Sequence, residues 1–501
     1  MRILLEASHV KHYVQDRLLL NIDQLQIHEN ERIGLVGRNG SGKTTLLKIL
    51  AEKFIPDEGT ITSYVSTDLL PQLKRTDRTK SGGEITQEYI QEILNHRPAL
   101  FFADEPTTNL DTNHIHWIEK KLKNWQGACV IVSHDRSFLD NLCSKIWEIE
   151  EGKITEYTGN YSDYQQQKQL EEKQEQLASE KYQRERKQLK EAIQQKKEQA
   201  QRATKKPKDL SRSEARILGA KTYYANQQKK LQKTASAMEK RLENLEKIEK
   251  TKEMPPIKMD LPNEENFKNR IILRAESLNG KVGNRKLWNK TDFFVRGGDK
   301  LAIIGANGSG KTTLVKKIIN QAPGITLSPS VKIGYFAQNL NILNHKDTIL
   351  ENVKSSSKQA ETLIRTVLAR LHFFDDDVYK PIHVLSGGER VKVALAKIFV
   401  SEANTLILDE PTNYLDIEAL EALETLLKEY EGTIIFVSHD RRFIENIATR
   451  VMVIENQAIN IFEGTYQQFT SEQTEKSRDI IEDKKLILET RITEILSRLS
   501  I

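Results

Sequence analysis

The chain has 501 residues, long enough for two sizeable domains and a connecting segment. It carries 76 Lys and Arg residues against 71 Asp and Glu residues, so its net charge is only +5. No apolar run approaches the ~20 residues of a membrane span, and the first residues predict a strand rather than a signal peptide. We therefore expect a soluble, cytoplasmic protein, with Cys129 and Cys143 as buried free thiols because their spacing does not suit a metal.

The first half of the chain contains four elements of a nucleotide-binding site. A glycine-rich loop spans residues 37–44, and the backbone N–H groups of such a loop bind phosphates together with the next helix N-terminus. An apolar run ends in Asp104, which predicts a buried strand whose tip faces a metal ion, and Glu105 follows it. A Ser-Gly-Gly-Glu turn (residues 81–84) precedes this strand, and a Ser-His-Asp element (residues 133–135) follows it.

These residue types fit the binding and hydrolysis of a nucleoside triphosphate. We expect Lys43 to reach the β and γ phosphates and Thr44 to bind Mg²⁺. Glu105 is placed to orient or deprotonate the attacking water. His134 is expected to contact the γ phosphate, and the alternative is that it merely caps a strand end.

A basic segment with the periodicity of two helices follows. Residues 165–250 contain 23 Lys and Arg residues against 13 Asp and Glu residues, a net charge of +10. Helical stretches at roughly 165–204 and 213–250 carry opposite charges three or four residues apart, and Pro207 places a bend between them. The pattern predicts an antiparallel hairpin about 60 Å long, because about 40 residues rise ~1.5 Å each.

The tip of this hairpin, near residues 205–224, combines cations with apolar and aromatic side chains. Dense Lys and Arg residues bind phosphate backbones, and aromatic side chains between them pack on the bases of folded RNA. The candidate contact residues are Lys206, Lys208, Leu210, Ser211, Arg212, Ser213, Arg216, Tyr223 and Tyr224. The alternative is a solvated spacer whose charges keep it soluble, although an exposed apolar cluster favours contact.

The second half of the chain repeats all four elements in the same order. Its glycine-rich loop spans residues 305–312, and Asp409, Glu410 and His439 stand where the first half has its own acidic pair and histidine. In both halves, 24 residues separate the serine of the turn from the glutamate, and 29 separate the glutamate from the histidine. Such an ordered duplication predicts two copies of one nucleotide site.

One spacing differs between the halves. Gln72 and Gln338 both follow apolar runs and are predicted to face the metal and the attacking water. Gln72 lies 9 residues before its Ser-Gly-Gly-Glu turn, whereas Gln338 lies 48 residues before the equivalent turn. The first half therefore lacks a helical region that the second half carries at about 340–385, and unequal hydrolysis at the two sites stays open.

The duplicated motifs resemble those of the ATP-binding cassette superfamily, whose domains have an α/β fold. In that family, the Ser-Gly-Gly-Glu turn of one cassette completes the nucleotide site of the other. The resemblance implies one site built on Lys43 with Ser386, and a second built on Lys311 with Ser81. An aromatic residue before the glycine-rich loop stacks on adenine in that family. Tyr13 fits this position, unless it is an ordinary surface residue, whereas the equivalent stretch of the second half has no aromatic residue.

The resemblance implies a complete set of site residues. The ATP-binding residues would be Tyr13, Gly37, Asn39, Gly40, Ser41, Gly42, Lys43, Thr44 and Thr45 in the first half, Gly305, Asn307, Gly308, Ser309, Gly310, Lys311, Thr312 and Thr313 in the second, and Ser81, Gly82, Gly83, Ser386, Gly387 and Gly388 in the turns. The Mg²⁺ ligands would be Thr44, Gln72, Asp104, Thr312, Gln338 and Asp409. The catalytic residues would be Glu105, Glu410, His134 and His439.

Two cassettes joined by a charged helical linker resemble the ABC-F family of ribosome-associated ATPases. The segments 159–164 and 464–469 resemble the turns that close each cassette in that family, and the segments 11–17 and 201–208 resemble its antibiotic-resistance branch, of Vga type. The implied domains are a first cassette at 1–164, a hairpin linker at 165–262, a second cassette at 263–470 and a charged helical extension at 471–501. The helical pattern of that extension breaks off as though truncated.

This resemblance implies ATP-dependent protection of the ribosome from drugs of lincosamide, streptogramin A and pleuromutilin type. A monomer with paired cassettes, ATP and Mg²⁺ would dock near the tRNA exit site, and its linker tip would reach 23S rRNA and tRNA. Hydrolysis would then reopen the cassettes and release the protein. No membrane subunit is expected.

Three other functions share part of the pattern: the ATPase subunit of a transporter, a housekeeping regulator of translation, and a DNA-repair or chromosome ATPase. A transporter subunit leaves the basic hairpin without a role. The coiled coil of a chromosome ATPase normally interrupts one cassette, whereas this segment joins two. Drug susceptibility of a strain that expresses the chain distinguishes a resistance protein from a housekeeping regulator.

Overall fold

The structure is a computed structural model, and it falls into two compact units. One unit contains Met1–Tyr164 and Pro255–Ile501, and the other contains Gln165–Met254. The described residues are 2–71, 82–96, 98–108, 110–202, 218–243, 269–337, 342–473, 475, 488, 489, 491 and 492. Several predicted site residues lie outside them, namely Gln72, Ser81, Gln338, Lys206, Lys208, Leu210, Ser211, Arg212, Ser213 and Arg216.

The first cassette combines a six-stranded sheet with a three-stranded antiparallel sheet. Its elements are β1 (Ile3–Val14), β2 (Arg17–His28), β3 (Arg32–Gly37), α1 (Lys43–Leu50), β4 (Glu58–Ser63), β5 (Thr67–Leu70), α2 (Gly82–His96), β6 (Leu100–Asp104), α3 (Thr112–Asn124), β7 (Ala128–Val132), α4 (Arg136–Leu142), β8 (Lys145–Glu150) and β9 (Lys153–Thr158). The large sheet has the order β5-β6-β7-β3-β8-β9 and is parallel except for the β8–β9 pair. The small sheet has the order β2-β1-β4.

Two long helices follow, α5 (Tyr161–Arg202) and α6 (Leu218–Glu243). Ion pairs join them within the second unit, with Lys197 2.6 Å from Glu239 and Arg241 2.7 Å from Glu185. The predicted helical linker is therefore confirmed. Helix α5 begins at Tyr161, slightly before the predicted start at roughly 165, because Asn160 and Asp163 cap it and the Ser162 N–H donates to the Asp140 carboxylate at 2.7 Å. Tyr223 and Tyr224 of the predicted tip lie in the first turns of α6.

The second cassette repeats the architecture of the first. Its elements are β10 (Ile271–Val282), β11 (Arg285–Arg296), β12 (Lys300–Gly305), α7 (Lys311–Ile319), β13 (Ile325–Leu327), β14 (Ile333–Phe336), α8 (Ile349–Lys354), α9 (Glu361–Arg370), α10 (Gly387–Phe399), β15 (Thr405–Asp409), α11 (Ile417–Glu429), β16 (Thr433–Val437), α12 (Arg441–Ile447), β17 (Arg450–Glu455) and β18 (Ala458–Phe462). The sheet orders β14-β15-β16-β12-β17-β18 and β11-β10-β13 match those of the first cassette. The predicted α/β fold of two tandem cassettes is confirmed.

The central strands explain why the motifs of each half meet. Strands β6, β7, β15 and β16 are buried at every residue. Parallel strands covered by helices on both faces are apolar throughout, which is why they appear in the sequence as uninterrupted apolar runs. The carboxyl ends of neighbouring parallel strands lie at one edge of the sheet, so Asp104 and Asp409 each meet the glycine-rich loop of their own cassette there.

The two cassettes differ between the fifth strand and the helix that follows it. In the second cassette, α8, α9 and two short 3₁₀ segments (Asp375–Tyr379 and Ile382–Val384) lie between β14 and α10, and their apolar residues join one core. In the first cassette, only residues 71–81 separate β5 from α2. The structure thus contains the helical difference that the unequal spacing predicts.

Both cysteines are buried free thiols, as predicted. Burial raises the pKa of the Cys129 thiol to about 12 and that of Cys143 well above its usual value. A thiol must ionise to react, so we expect neither to react readily in the folded protein. Among the described helices, none is both long and apolar enough to cross a membrane.

Candidate nucleotide sites

Each glycine-rich loop contains a glycine that adopts the left-handed backbone conformation directly before the helix begins. Gly42 has φ 101° at the start of α1, and Gly310 has φ 106° at the start of α7. A Cβ atom on Gly42 would lie 3.0 Å from Leu20, and one on Gly310 would lie 2.4 Å from Trp288. A side chain at either position would therefore push the loop away from the small sheet that supports it.

The lysine of each loop is held across its own loop. The Lys43 ammonium donates to the carbonyls of Gly37 at 2.6 Å and Arg38 at 2.9 Å, and Lys311 makes the equivalent pair at 2.8 and 3.2 Å. Burial lowers the pKa of both lysines. Each buried ammonium is hydrogen-bonded to carbonyl groups, which carry no full negative charge. A phosphate would stabilise the ammonium strongly, so each lysine is well placed for the predicted contact.

A threonine and an aspartate meet beside each lysine. The Thr44 hydroxyl donates to Asp104 at 2.9 Å, and the Thr312 hydroxyl donates to Asp409 at 3.3 Å. Burial raises the pKa of both aspartates, and a nearby cation would lower the pKa again. Oxygen ligands of this kind suit Mg²⁺, which usually keeps few protein ligands and adds phosphates and waters. The donor set therefore fits the metal that the sequence predicts.

The two predicted catalytic glutamates adopt the same unusual backbone conformation. Glu105 and Glu410 each have φ 52°, in the left-handed region, and such strain is common at functional sites. Burial raises the pKa of Glu105 to about 8 and that of Glu410 to about 7. The Nε2 atoms of His134 and His439 lie 3.4 Å from these carboxylates. Burial lowers the pKa of the two histidines to about 4 and about 3, so both are neutral at pH 7.

One carboxylate oxygen at the first site has no hydrogen bond. Oε1 of Glu105 is buried without a hydrogen-bond partner among the described residues, although Nε2 of His134 lies 3.4 Å away, while Oε2 accepts a weak bond from the His134 N–H at 3.4 Å. A buried carboxylate oxygen without a donor is costly, so a water molecule is its natural partner. This is the geometry that the orientation of an attacking water requires.

Two aspartates that the sequence analysis missed join the cassettes. Asp416 accepts the Asn39 N–H at 3.0 Å, and Asp111 accepts the Asn307 N–H at 3.0 Å. Their other oxygens cap α11 and α3 of their own cassettes. Each aspartate therefore connects its own helix to the glycine-rich loop of the opposite cassette. The sequence did contain a signal for them, because the two aspartates occupy equivalent positions in the two repeats.

The turn of the second cassette lies against the loop of the first. A Cβ atom on Gly388 would lie 3.2 Å from Nδ2 of Asn39 and 2.8 Å from the Tyr414 carbonyl. Ser386 and Glu389 form a capping box at the start of α10. The helix N-terminus of this turn therefore points into the first site, where an anion is favoured.

The equivalent turn of the first cassette is described only in part. Gly82 and Gly83 begin α2, whereas Ser81, the residue predicted to complete the second site, lies outside the described residues. The pairing of Lys311 with Ser81 therefore stays a prediction.

Crossed ion pairs reinforce the contact between the cassettes. The buried Arg136 donates to Glu424 of α11 and lies 3.8 Å from Asp440, and Arg441 donates to Glu119 of α3 at 3.3 Å. Each arginine follows a Ser-His-Asp element directly, so it links a predicted γ-phosphate histidine to the opposite cassette. Removing one partner of a buried pair typically costs about 3–5 kcal/mol, because the other charge is left unpaired.

A cavity of about 1150 Å³ lies between the cassettes. It is lined by residues of both, including Glu105, His134, Lys311, Glu410 and His439. A volume slightly above that of ordinary ligand pockets suits a nucleoside triphosphate with its metal and waters.

The entrances of the two sites differ in the residue that can face the base. Tyr13 lies at the end of β1 and is 40% exposed, and Lys281 holds the equivalent position in β10. Arg285 lines the cavity at the second site, with its guanidinium 3.8 and 4.0 Å from the position of a Cβ atom on Gly308. Among the described residues, none lies within 4 Å of such a Cβ atom on the equivalent Gly40. The second site therefore has a lysine at the position of Tyr13, and its Arg285, which corresponds to Arg17 of the first repeat, lies beside the glycine-rich loop.

Comparison with known proteins agrees with this geometry. A family model described as ABC transporter matches residues 20–80 and 288–413, and a second model of that description matches residues 147–259. The chain belongs to the ABC family. This ABC protein is 34% identical over 483 residues to the erythromycin resistance ATP-binding protein MsrA of Staphylococcus epidermidis, covering 91% of the chain and 98% of that relative. It is 31% identical over 529 residues to the ribosome protection protein VmlR of Bacillus subtilis, covering 100% and 94%.

The fold also matches a solved structure, the archaeal ribosome recycling factor aABCE1 in complex with the ribosomal stalk protein aP1. The TM-score is 0.61 with 19% sequence identity, over 93% of this chain and 92% of that one. The relatives are ABC-F type ATP-binding proteins, and this ABC protein is an ATPase.

The position of Arg285 beside the second glycine-rich loop generates the first prediction. In a Lys43→Ala background, where the second site carries most of the nucleotide binding, Arg285→Ala should raise the Kd for ATP about tenfold, because a charge-assisted contact to phosphate is lost. Calorimetry on the full chain measures this. Arg17 holds the position of Arg285 in the first repeat but does not approach Gly40. Arg17→Ala in a Lys311→Ala background is therefore the matched control and should change the Kd of the first site by less than about twofold. An unchanged Kd after Arg285→Ala would show that this cation does not meet the nucleotide.

Proposed function

We propose that this ATPase protects the ribosome from antibiotics that act at the peptidyl-transferase centre, of lincosamide, streptogramin A and pleuromutilin type, as a cytoplasmic Vga-type member of the ABC-F group. The observation that carries the proposal is the basic hairpin between two paired cassettes, since residues 165–250 have a net charge of +10. A cationic segment of this kind binds phosphate backbones. The names of the relatives MsrA and VmlR, which refer to erythromycin resistance and ribosome protection, support the same direction.

We propose that the chemistry at each site follows from the arrangement of its side chains. Lys43 and Lys311 bind the β and γ phosphates, from the positions across the loops that they already hold. Thr44 with Asp104, and Thr312 with Asp409, would hold Mg²⁺ together with Gln72 and Gln338. When bound, the metal would neutralise charge on the phosphates.

The glutamates then act on the attacking water. Glu105 orients it through Oε1, which has no hydrogen bond among the described residues, and accepts its proton once the carboxyl is ionised. Bound cations favour that ionisation by lowering the carboxyl pKa. Glu410 takes the same role at the second site, and His134 and His439, both neutral, donate to the γ phosphate.

Nucleotide binding would act on the balance between open and closed cassettes. The phosphate loop of the first cassette touches Asp416 and Gly388 of the second, so a triphosphate in that site contacts both cassettes and stabilises the closed state. Shifting such a balance from 1:99 to 99:1 requires about 5.5 kcal/mol of preferential binding. In our proposal, the closed form docks near the tRNA exit site, the linker tip displaces the drug through contacts with 23S rRNA or tRNA, and hydrolysis releases the protein.

The second prediction concerns ribosome binding. Glu105→Gln with Glu410→Gln removes both proton acceptors but keeps the phosphate contacts, so the closed state should persist with ATP. In a pelleting assay, at least about tenfold more of this variant than of the wild type should sediment with ribosomes when ATP is present. The matched control is Lys43→Ala with Lys311→Ala, which should stay in the supernatant. Equal sedimentation of all three proteins would contradict the proposal.

The third prediction concerns drug susceptibility. Expression in a susceptible strain should raise the inhibitory concentration of a lincosamide, a streptogramin A or a pleuromutilin, and the double glutamate variant should abolish that increase. Leu210→Ala and Tyr223→Ala should change the relative protection against these drugs while ATPase activity stays within about twofold, because the tip segment contains none of the nucleotide-site motifs. Erythromycin belongs in the same panel because of the MsrA relative. No protection against any drug would favour a housekeeping regulator of translation.

A further inference from the structure

The first turn of α5 is in contact with the second cassette. Tyr161 is only 1% exposed, and its hydroxyl donates to Glu421 of α11 at 3.4 Å. The guanidinium of Arg442, in α12, lies 5.4 Å from the centre of the Tyr161 ring and donates to the Ser162 hydroxyl at 3.3 Å. The start of the helix that leads into the linker is therefore covered by two charged side chains from the opposite cassette.

The repeat shows that this contact is specific to one side of the molecule. Tyr466 stands in the second cassette where Tyr161 stands in the first, but His116 and Ser137 occupy the positions equivalent to Glu421 and Arg442. Neither can reproduce the pair of opposite charges around the ring. Among the described residues, this contact is therefore found on the side where a cassette continues into the long linker helix.

The same residues are connected to the contact between the cassettes. Arg136, which donates to Glu424, also lies 3.8 Å from Glu421. Arg136 is two residues from His134, the predicted γ-phosphate ligand. A short chain of contacts therefore leads from the first nucleotide site through Arg136 and Glu421 to the hydroxyl of Tyr161.

We propose that Tyr161, Glu421 and Arg442 form a clamp that holds the first turn of α5 only when the cassettes are closed. Glu421 and Arg442 belong to one cassette and Tyr161 to the other, so separation of the cassettes removes both charged partners at once. The Tyr161 ring then loses a cation–π contact and becomes accessible to water. Arg442 acts as a positioning residue: it touches no nucleotide, and it links closure to the ordering of the linker helix at its base.

Hydrogen exchange tests the clamp directly. In the Glu105→Gln, Glu410→Gln protein, ATP should slow amide exchange in the peptide that covers residues 161–170. Arg442→Ser, which installs the residue of the first repeat, and Tyr161→Phe should each reduce that ATP-dependent protection by about tenfold in exchange rate. Tyr466→Phe is the matched control and should leave it unchanged. Equal protection in the parent and in Arg442→Ser would overturn the proposal.

Two further measurements separate the clamp from general loss of structure. Arg442→Lys keeps the cation and should restore part of the protection. ATPase activity of the wild-type chain and of Arg442→Ser should agree within about twofold, because the residue lies outside the nucleotide sites. If ATPase activity and thermal stability fell together with the protection, and lysine gave no rescue, Arg442 would be merely structural and the clamp would be rejected.

The consequence for drug protection rests on the proposed function and is tested separately. Arg442→Ser should lower resistance while the variant still sediments with ribosomes in the double glutamate background. If no form of the chain sediments with ribosomes, the proposed function fails, yet the exchange result on residues 161–170 still decides whether the clamp exists. Full resistance of Arg442→Ser, with the exchange protection lost, would show that the clamp does not serve ribosome protection.

Discussion

Two aspartates join the glycine-rich loop of each cassette to the opposite cassette. Asp111 and Asp416 each cap a helix of their own cassette with one oxygen and accept a loop N–H of the opposite cassette with the other. The loops that bind phosphates are therefore supported from both sides only when the cassettes are together. The described turn at Gly388 depends on the same contact, since it packs against Asn39. Each nucleotide site is in this sense shared between the halves of one chain, and hydrolysis can be coupled to their separation.

The ion pairs around this contact differ between the two repeats, so the two sides of the interface between the cassettes are not equivalent. Arg136 is buried among Glu424, Glu421 and Asp440, whereas Arg441 meets Glu119, which His116 and Asn141 also contact. Buried ion pairs add little net stability, because desolvation offsets their attraction, but they penalise any arrangement that leaves one charge unpaired. These ion pairs therefore favour a single arrangement of the two cassettes, and separation of the cassettes breaks them together. The side of the molecule with the denser network is also the side from which α5 begins.

Much of the nucleotide site could be predicted from the sequence, for physical reasons that are local. Strands buried on both faces are apolar runs, so Asp104 and Asp409 could be placed at strand ends, and repeated spacings located the glutamates and histidines. The partners across the cassettes could not be found in this way. Arg136 and Glu424 are separated by 288 residues, and no periodicity relates positions that meet only after two domains pair. The structure begins α5 a few residues before the approximate start at 165, because Asn160 and Asp163 cap the helix locally, with each side chain accepting the backbone N–H of the other at 3.0 Å, a signal that helical periodicity does not contain.

The central claim is that nucleotide controls the closing of the two cassettes, and a cross-link at the rim of their contact tests it most directly. Arg38 and Glu418 form an exposed ion pair between the cassettes at 2.7 Å. Cysteines at these two positions should be joined by a short bifunctional thiol reagent, while the buried Cys129 and Cys143 do not interfere. In the Glu105→Gln, Glu410→Gln background, ATP should raise the cross-linked fraction strongly, and Lys43→Ala with Lys311→Ala should abolish the increase. A cross-linked fraction that is the same with and without ATP would contradict the account.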